Sequence, residues 1–236
     1  MNVTRAAVGP GGVCGAFILC SIATTSHATL VDISPCNTGA AAVVACEVTT
    51  TPPNPVQADP NDGLLLAWDE RQNLTLASDL RIDRVADATA PFIREENGAF
   101  FIVAGTIVSS HYVQWDPLGS SGTVEGTVNL DSTVYGFITD TGRLADTDGL
   151  LGLPGFDYND FGARGLEAQD FIEFAGSSVN VRWTASSPGD WTRLLTAFSP
   201  GGGNGGDGGS SVPEPSTLGL LFAGLLGTLA ARRRRG

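Results

Sequence analysis

Lysine does not occur anywhere in the 236 residues. All 13 basic side chains are therefore arginines, against 25 acids, and the formal net charge is −12. Four of those arginines stand together as Arg232, Arg233, Arg234 and Arg235, so the remainder of the chain is more acidic still. A surface of that sign repels nucleic acid and anionic lipid, and it favours solubility or contact with divalent cations. Histidine is almost as scarce: His27 lies near the start and His111 in the body. No G-x-S-x-G, H-E-x-x-H or phosphate-binding loop is present, so the familiar serine-hydrolase, zinc-protease and nucleotide signatures are missing. Of the 4 cysteines, Cys14 and Cys20 fall in the opening segment, which leaves Cys36 and Cys46 to the body.

The two ends read as addresses. Residues 1–28 resemble a secretory signal peptide: Arg5 gives a weakly positive start, Val13 to Ala23 a short apolar region, and Ser26-His27-Ala28 places small residues at the −3 and −1 positions of a cleavage site. At the other end, Val212-Pro213-Glu214-Pro215 precedes an apolar run from Thr217 to Ala231, and the arginine cluster follows. Two prolines keep the Pro213–Pro215 segment extended and accessible. The apolar run makes about 22 Å of helix at roughly 1.5 Å per residue, short of a hydrocarbon core of about 30 Å. The four arginines extend its reach by snorkelling and hold that end in the cytoplasm. Within it, Gly219, Ala223, Gly227 and Ala231 form a small-residue stripe fit for close helix packing.

This three-part ending resembles the PEP-CTERM sorting signal of bacterial exported proteins, with Pro213, Glu214 and Pro215 on the residues that name the motif. The resemblance covers the tail alone. It implies recognition by an exosortase, a membrane protease or transpeptidase that cuts near the Pro-Glu-Pro segment, and hence a protein exported, membrane-tethered by its C-terminal helix, then left at the cell surface or outside. The competing reading is an ordinary single-pass anchor. Blocks of the body, Asp69–Asn73, Val108–Tyr112, Arg164–Glu167 and Trp183–Trp191, resemble uncharacterised PEP-CTERM proteins and imply no activity.

Between the ends, residues 29–62 are poor in charge and rich in Ala, Thr and Pro, and read as an extension ahead of the main domain. Cys36 and Cys46 in that extension read as a disulfide closing a short loop, against two free thiols. From residue 63 to 200 the pattern is β. Strands are expected over Leu64–Trp68, Leu74–Leu76, Leu80–Asp83, Ala99–Val108, Thr123–Leu130 and Val134–Ile138. His111–Trp115 pairs nearby. Phe171–Phe174 and Val179–Trp183 flank Gly176-Ser177 as a hairpin, and Trp191–Phe198 closes the series. The irregular acidic stretch Asp140–Asp170 holds short helical turns near Arg143–Leu151 and Leu166–Phe171. The fold class is all-β, an antiparallel sandwich of jelly-roll-like type. Gly201 to Ser211 is a glycine-rich linker.

Chemistry is sparse in this pattern. His111 beside Tyr112 reads as a surface or packing residue at a strand edge. Asp157, Asp160, Glu167 and Asp170 offer carboxylate pairs of the kind glycoside hydrolysis needs. Asp140, Asp146, Asp148, Asp157 and Asp160 include a D-x-D-G fragment and read either as calcium ligands or as a solvated acidic loop. Arg164 near Glu167 reads as an internal salt bridge. Trp68, Trp115, Trp183 and Trp191 read as core rather than as a sugar-stacking platform. The resulting expectation is a non-enzymatic exported β-sandwich, sorted by exosortase to the cell surface or extracellular polysaccharide matrix, with no cofactor unless calcium binds. The alternatives are a secreted carbohydrate-active enzyme and a plain membrane-anchored protein.

Overall fold

A computed structural model describes residues 30–200. The leader 1–28, the linker 201–211 and the tail 212–236 lie outside the described residues. So do the sorting residues Pro213, Glu214 and Pro215, the apolar run 217–231 and Arg232–Arg235.

The chain runs β1 (Leu30–Cys36), β2 (Ala45–Val48), β3 (Leu64–Asp69), β4 (Leu74–Thr75), β5 (Leu80–Ile82), β6 (Arg84–Val85), β7 (Ile93–Glu96) and β8 (Ala99–Ile102). It continues through β9 (Ile107–Trp115), β10 (Ser121–Leu130), β11 (Val134–Ile138), α1 (Thr141–Leu151), β12 (Phe171–Ala175), β13 (Ser178–Ser186) and β14 (Asp190–Thr196). A four-stranded antiparallel sheet has the order β1-β10-β13-β12. A larger sheet has the order β2-β3-β9-β14-β11-β6, antiparallel except for the β2–β3 pair. β5, β8 and β7 form a third, small sheet.

The two main sheets pack face to face. Val124, Val128, Val179, Val181 and Trp183 from the smaller meet Leu65, Ala67, Val113, Trp115, Phe137 and Leu194 from the larger. The smaller sheet turns its other face to solvent, so β13 alternates buried and open positions along its length. The larger sheet has a second apolar face, with Leu66, Trp68, Tyr112, Ile138, Trp191 and Leu195 on it. Leu144 and Leu151 of α1, Tyr158, and Ile82 and Ile102 of the small sheet cover that face. Buried on both sides, β14 shows no alternation, and β9 is open only at Ile107. The structure therefore adds a third layer to the expected two-sheet arrangement.

Local chemistry sets the boundaries. Asp140 caps α1, its carboxylate accepting the Arg143 N–H at 3.1 Å. Gly152 ends the helix, its own N–H donating to Asp148 O. Gly176 at φ +69° makes the two-residue turn that joins β12 to β13 in the register Ala175↔Ser178.

Three expectations change. Residues 29–62 are more than an extension: β1 pairs with β10, and β2 pairs with β3, so this segment belongs to both main sheets. The single strand expected over Ala99–Val108 is two, β8 and β9, in different sheets. The chain turns between them at Gly105, whose φ of +85° glycine adopts without strain. The helical stretch expected over Leu166–Phe171 shrinks to one hydrogen-bonded turn, the Asp170 N–H donating to Glu167 O at 3.2 Å, before β12 begins.

Candidate functional site

The layer beneath α1 is built around charge. Arg193 sits in the middle of β14 and sends its guanidinium towards the helix, wholly buried. Its Nε donates to Glu70 Oε2 at 2.6 Å and its Nη2 to Glu70 Oε1 at 2.8 Å. Nη2 also donates to Asp148 Oδ1 at 2.9 Å, and Nη1 to Thr147 Oγ1 at 2.7 Å. Arg164 grips the same Asp148 through two bonds, 2.7 and 2.9 Å, and its Nε donates to the Tyr112 hydroxyl at 3.1 Å. Two guanidiniums thus face two carboxylates. Such a group is costly to bury but holds its geometry once every member is paired. Burial works against the Arg193 charge; Glu70, then Tyr112 and Asp148, outweigh it and hold the guanidinium above its usual range. Burial also pushes the Tyr112 and Tyr158 phenols up. With each charge facing an opposite partner, the arrangement clamps α1 and the Arg164 loop onto the larger sheet.

Cys36 and Cys46 are joined by a disulfide with a Cα–Cα distance of 6.0 Å. Asp140 is the helix cap, and Asp148 belongs to the arginine clamp. Asp146 is exposed on α1. Asp157 and Asp160 are exposed on the following loop, where Asp157 Oδ1 accepts the Asn159 N–H at 2.9 Å. No three of these five approach one another as ligands of one ion would. His111 is in the middle of the larger sheet and fully buried, rather than at an edge. Its Nδ1 lies 2.8 Å from Asp69 Oδ1 and its Nε2 3.1 Å from Thr196 Oγ1, so both ring nitrogens are engaged. The four tryptophans are at most 1 % exposed, which places them in the two cores. Arg164 pairs with Asp148 and not with Glu167.

Glu167 and Asp170 do come together, and Asp190 joins them. One carboxylate oxygen of each lies within 4.8 Å of the other two. Glu167 is exposed, whereas Asp170 is 2 % and Asp190 1 % exposed. Asp170 is fixed by two backbone donors, Thr184 N–H to Oδ1 at 3.0 Å and Glu167 N–H to Oδ2 at 2.8 Å. Arg84 donates to the main-chain oxygens of Asp170 and Glu167, at 2.6 and 3.0 Å, and not to their carboxylates. Asp190 Oδ2 is buried with no hydrogen-bond partner. Burial first, and then the charges of Asp170 and Glu167, push the Asp190 carboxyl up to about 9. Sequence reading missed Asp190 because it stands in the turn-like Pro188-Gly189-Asp190, and missed Glu70 and Arg193 because nothing local marks them as buried.

The solvent face of the smaller sheet has a different character. Directly opposed residues of β10 and β13 make polar cross-strand pairs: Thr123 with Thr184 at 2.9 Å, Glu125 with Arg182 at 3.5 Å, and Thr127 with Asn180 at 2.8 Å. A cleft of about 450 Å³ opens over the Glu125–Arg182 and Thr127–Asn180 pairs, between the Pro35–Asn37 segment and Phe171. Phe171, on the edge strand β12, is 51 % exposed. The arrangement sets an apolar ring beside a row of hydroxyl, amide and charged groups.

A family model of the PEP-CTERM protein-sorting motif matches residues 211–235. The match supports an exosortase-sorted, exported protein. No curated protein and no solved structure matches the chain. Among the described residues, no helix is long and apolar enough to cross a membrane.

Proposed function

We propose that this chain is an exported protein handed to an exosortase through its tail, and that its sandwich then serves, without catalysis, as a structural or binding component of the cell surface or extracellular polysaccharide matrix. The observation that carries the reading is the sorting motif over residues 211–235. The open face of the smaller sheet supports the binding role. A sugar presents hydroxyls and a C–H face, and the polar pairs and the Phe171 ring offer partners for both. Before processing, the apolar run 217–231 tethers the protein to the membrane, and Arg232–Arg235 stop its transfer.

The competing reading, a carbohydrate-active enzyme, asks for two carboxylates from among Asp157, Asp160, Glu167 and Asp170, about 5–10 Å apart in a concave pocket. Asp157 and Asp160 line a depression beside Asp148 and Tyr158, and Glu167 and Asp170 meet in a separate cluster with Asp190.

The test is intact mass and cell fractionation of the protein from its host, beside a variant with Pro213, Glu214 and Pro215 all changed to alanine. A shortened or released wild type, with the variant retained full-length in the membrane, is the expected result. Identical membrane-bound species would make the tail a plain anchor and remove the argument for a matrix role.

A further inference from the structure

We propose that Glu167, Asp170 and Asp190 bind a hard divalent cation, calcium, which ties the loop ahead of β12 to the first residue of β14. The placement carries the idea. Three carboxylate oxygens from two separate segments converge to within 4.8 Å, at the end of the larger sheet where β14 enters it. Oxygens at about 2.3–2.6 Å from a shared calcium span such a distance.

The independent observation is Asp190 Oδ2. It is buried, belongs to a side chain 1 % exposed, and has no donor from the protein. A buried carboxylate oxygen without a partner is costly, and it takes either a proton or a cation. Asp170 is prepared for the second role. Its two backbone donors fix the orientation of the carboxylate while leaving each oxygen a further lone pair. Glu167, exposed beside them, gives access from solvent. Arg84 is spent on the main-chain oxygens of Asp170 and Glu167 and donates to neither carboxylate. A fourth acid stands close: Asp116 is 1 % exposed, its Oδ1 also lacks a donor, and its charge adds to the field at Asp190. Water and main-chain oxygens complete the six to eight ligands that calcium takes. The set is distinct from the D-x-D-G fragment at Asp146–Gly149, whose Asp148 is already held by two arginines.

The test uses the full chain in detergent, stripped with chelator. Calorimetric titration with calcium chloride is expected to show one saturable site, with Kd in the range of about 10⁻⁴–10⁻³ M typical of extracellular modules, and a rise in Tm. Glu167→Gln alters an exposed side chain and leaves folding intact; it is expected to weaken binding by about tenfold or more. Asp190→Asn relieves the buried charge, folds without the ion, and is expected to lose the calcium-dependent rise in Tm. A wild type that does not respond overturns the proposal. So does an equal response in both variants, or a response reproduced by sodium chloride at matched ionic strength.

Discussion

Arg193 and Glu70 form a two-point ion pair in which neither side chain reaches solvent, with Nε–Oε2 at 2.6 Å and Nη2–Oε1 at 2.8 Å. The pair joins the middle of β14 to the residue just after β3. Ser110 Oγ completes it by donating to Glu70 Oε2 at 2.6 Å. Removing one partner strands the other charge. Arg193→Met or Glu70→Leu is expected to destabilise the protein by about 3–5 kcal/mol in urea unfolding. The double variant should recover part of that loss, though Asp148 then loses one of its two arginines. Strictly additive losses would show that the two side chains do not act as a pair.

The disulfide joins β1 of one sheet to β2 of the other across a sequence separation of 10. Closing a loop of that length restricts the unfolded chain by about 2–3 kcal/mol. Replacing both cysteines by alanine is expected to lower stability by about that amount, read from the urea midpoint at unchanged m-value. A reductant should have the same effect on the wild type and none on the variant.

Asp79 sets an acid-side dependence. The Ala104 N–H at 2.8 Å and then the Arg94 guanidinium hold its carboxyl below the usual carboxylate range. A group depressed in the folded state contributes stability above its unfolded pKa, and that contribution fades as pH falls through the folded value. Asp79→Asn should therefore lower Tm at pH 7, and the gap should close as pH falls below about 4. A gap that stays constant with pH would assign the loss to packing.

The open sheet face gives a binding prediction. Phe171→Ala and Arg182→Ala alter exposed positions, so Tm should move little. Retention on polysaccharide isolated from the host should fall for both relative to wild type. Unchanged retention would remove this face from the proposed role.

Much of the smaller sheet could be read from residues alone. β10 and β13 alternate because one face is buried, and Gly176-Ser177 marks the turn between β12 and β13. The larger sheet was harder, since strands covered on both sides lose the period of two. That is why one apolar run concealed both β8 and β9, with only Gly105 to separate them. β1 and β2 lie in an Ala- and Thr-rich stretch whose pairing depends on strands far along the chain. The carboxylate trio joins Glu167 and Asp170 to a turn 20 residues beyond, and the arginine clamp collects four segments. Such meetings follow from topology, which local pattern does not encode.

The place of β14 bears on how the protein reaches its final state. The last strand of the described body is inserted between β9 and β11, and β1, the first, waits for β10. A chain emerging from a translocation channel N-terminus first would hold β9 and β11 apart, and β1 unpaired, until residues near 196 had arrived. Closure is then a late, long-range event, slow by the nature of its contacts. Until then, strand edges lie open to other chains.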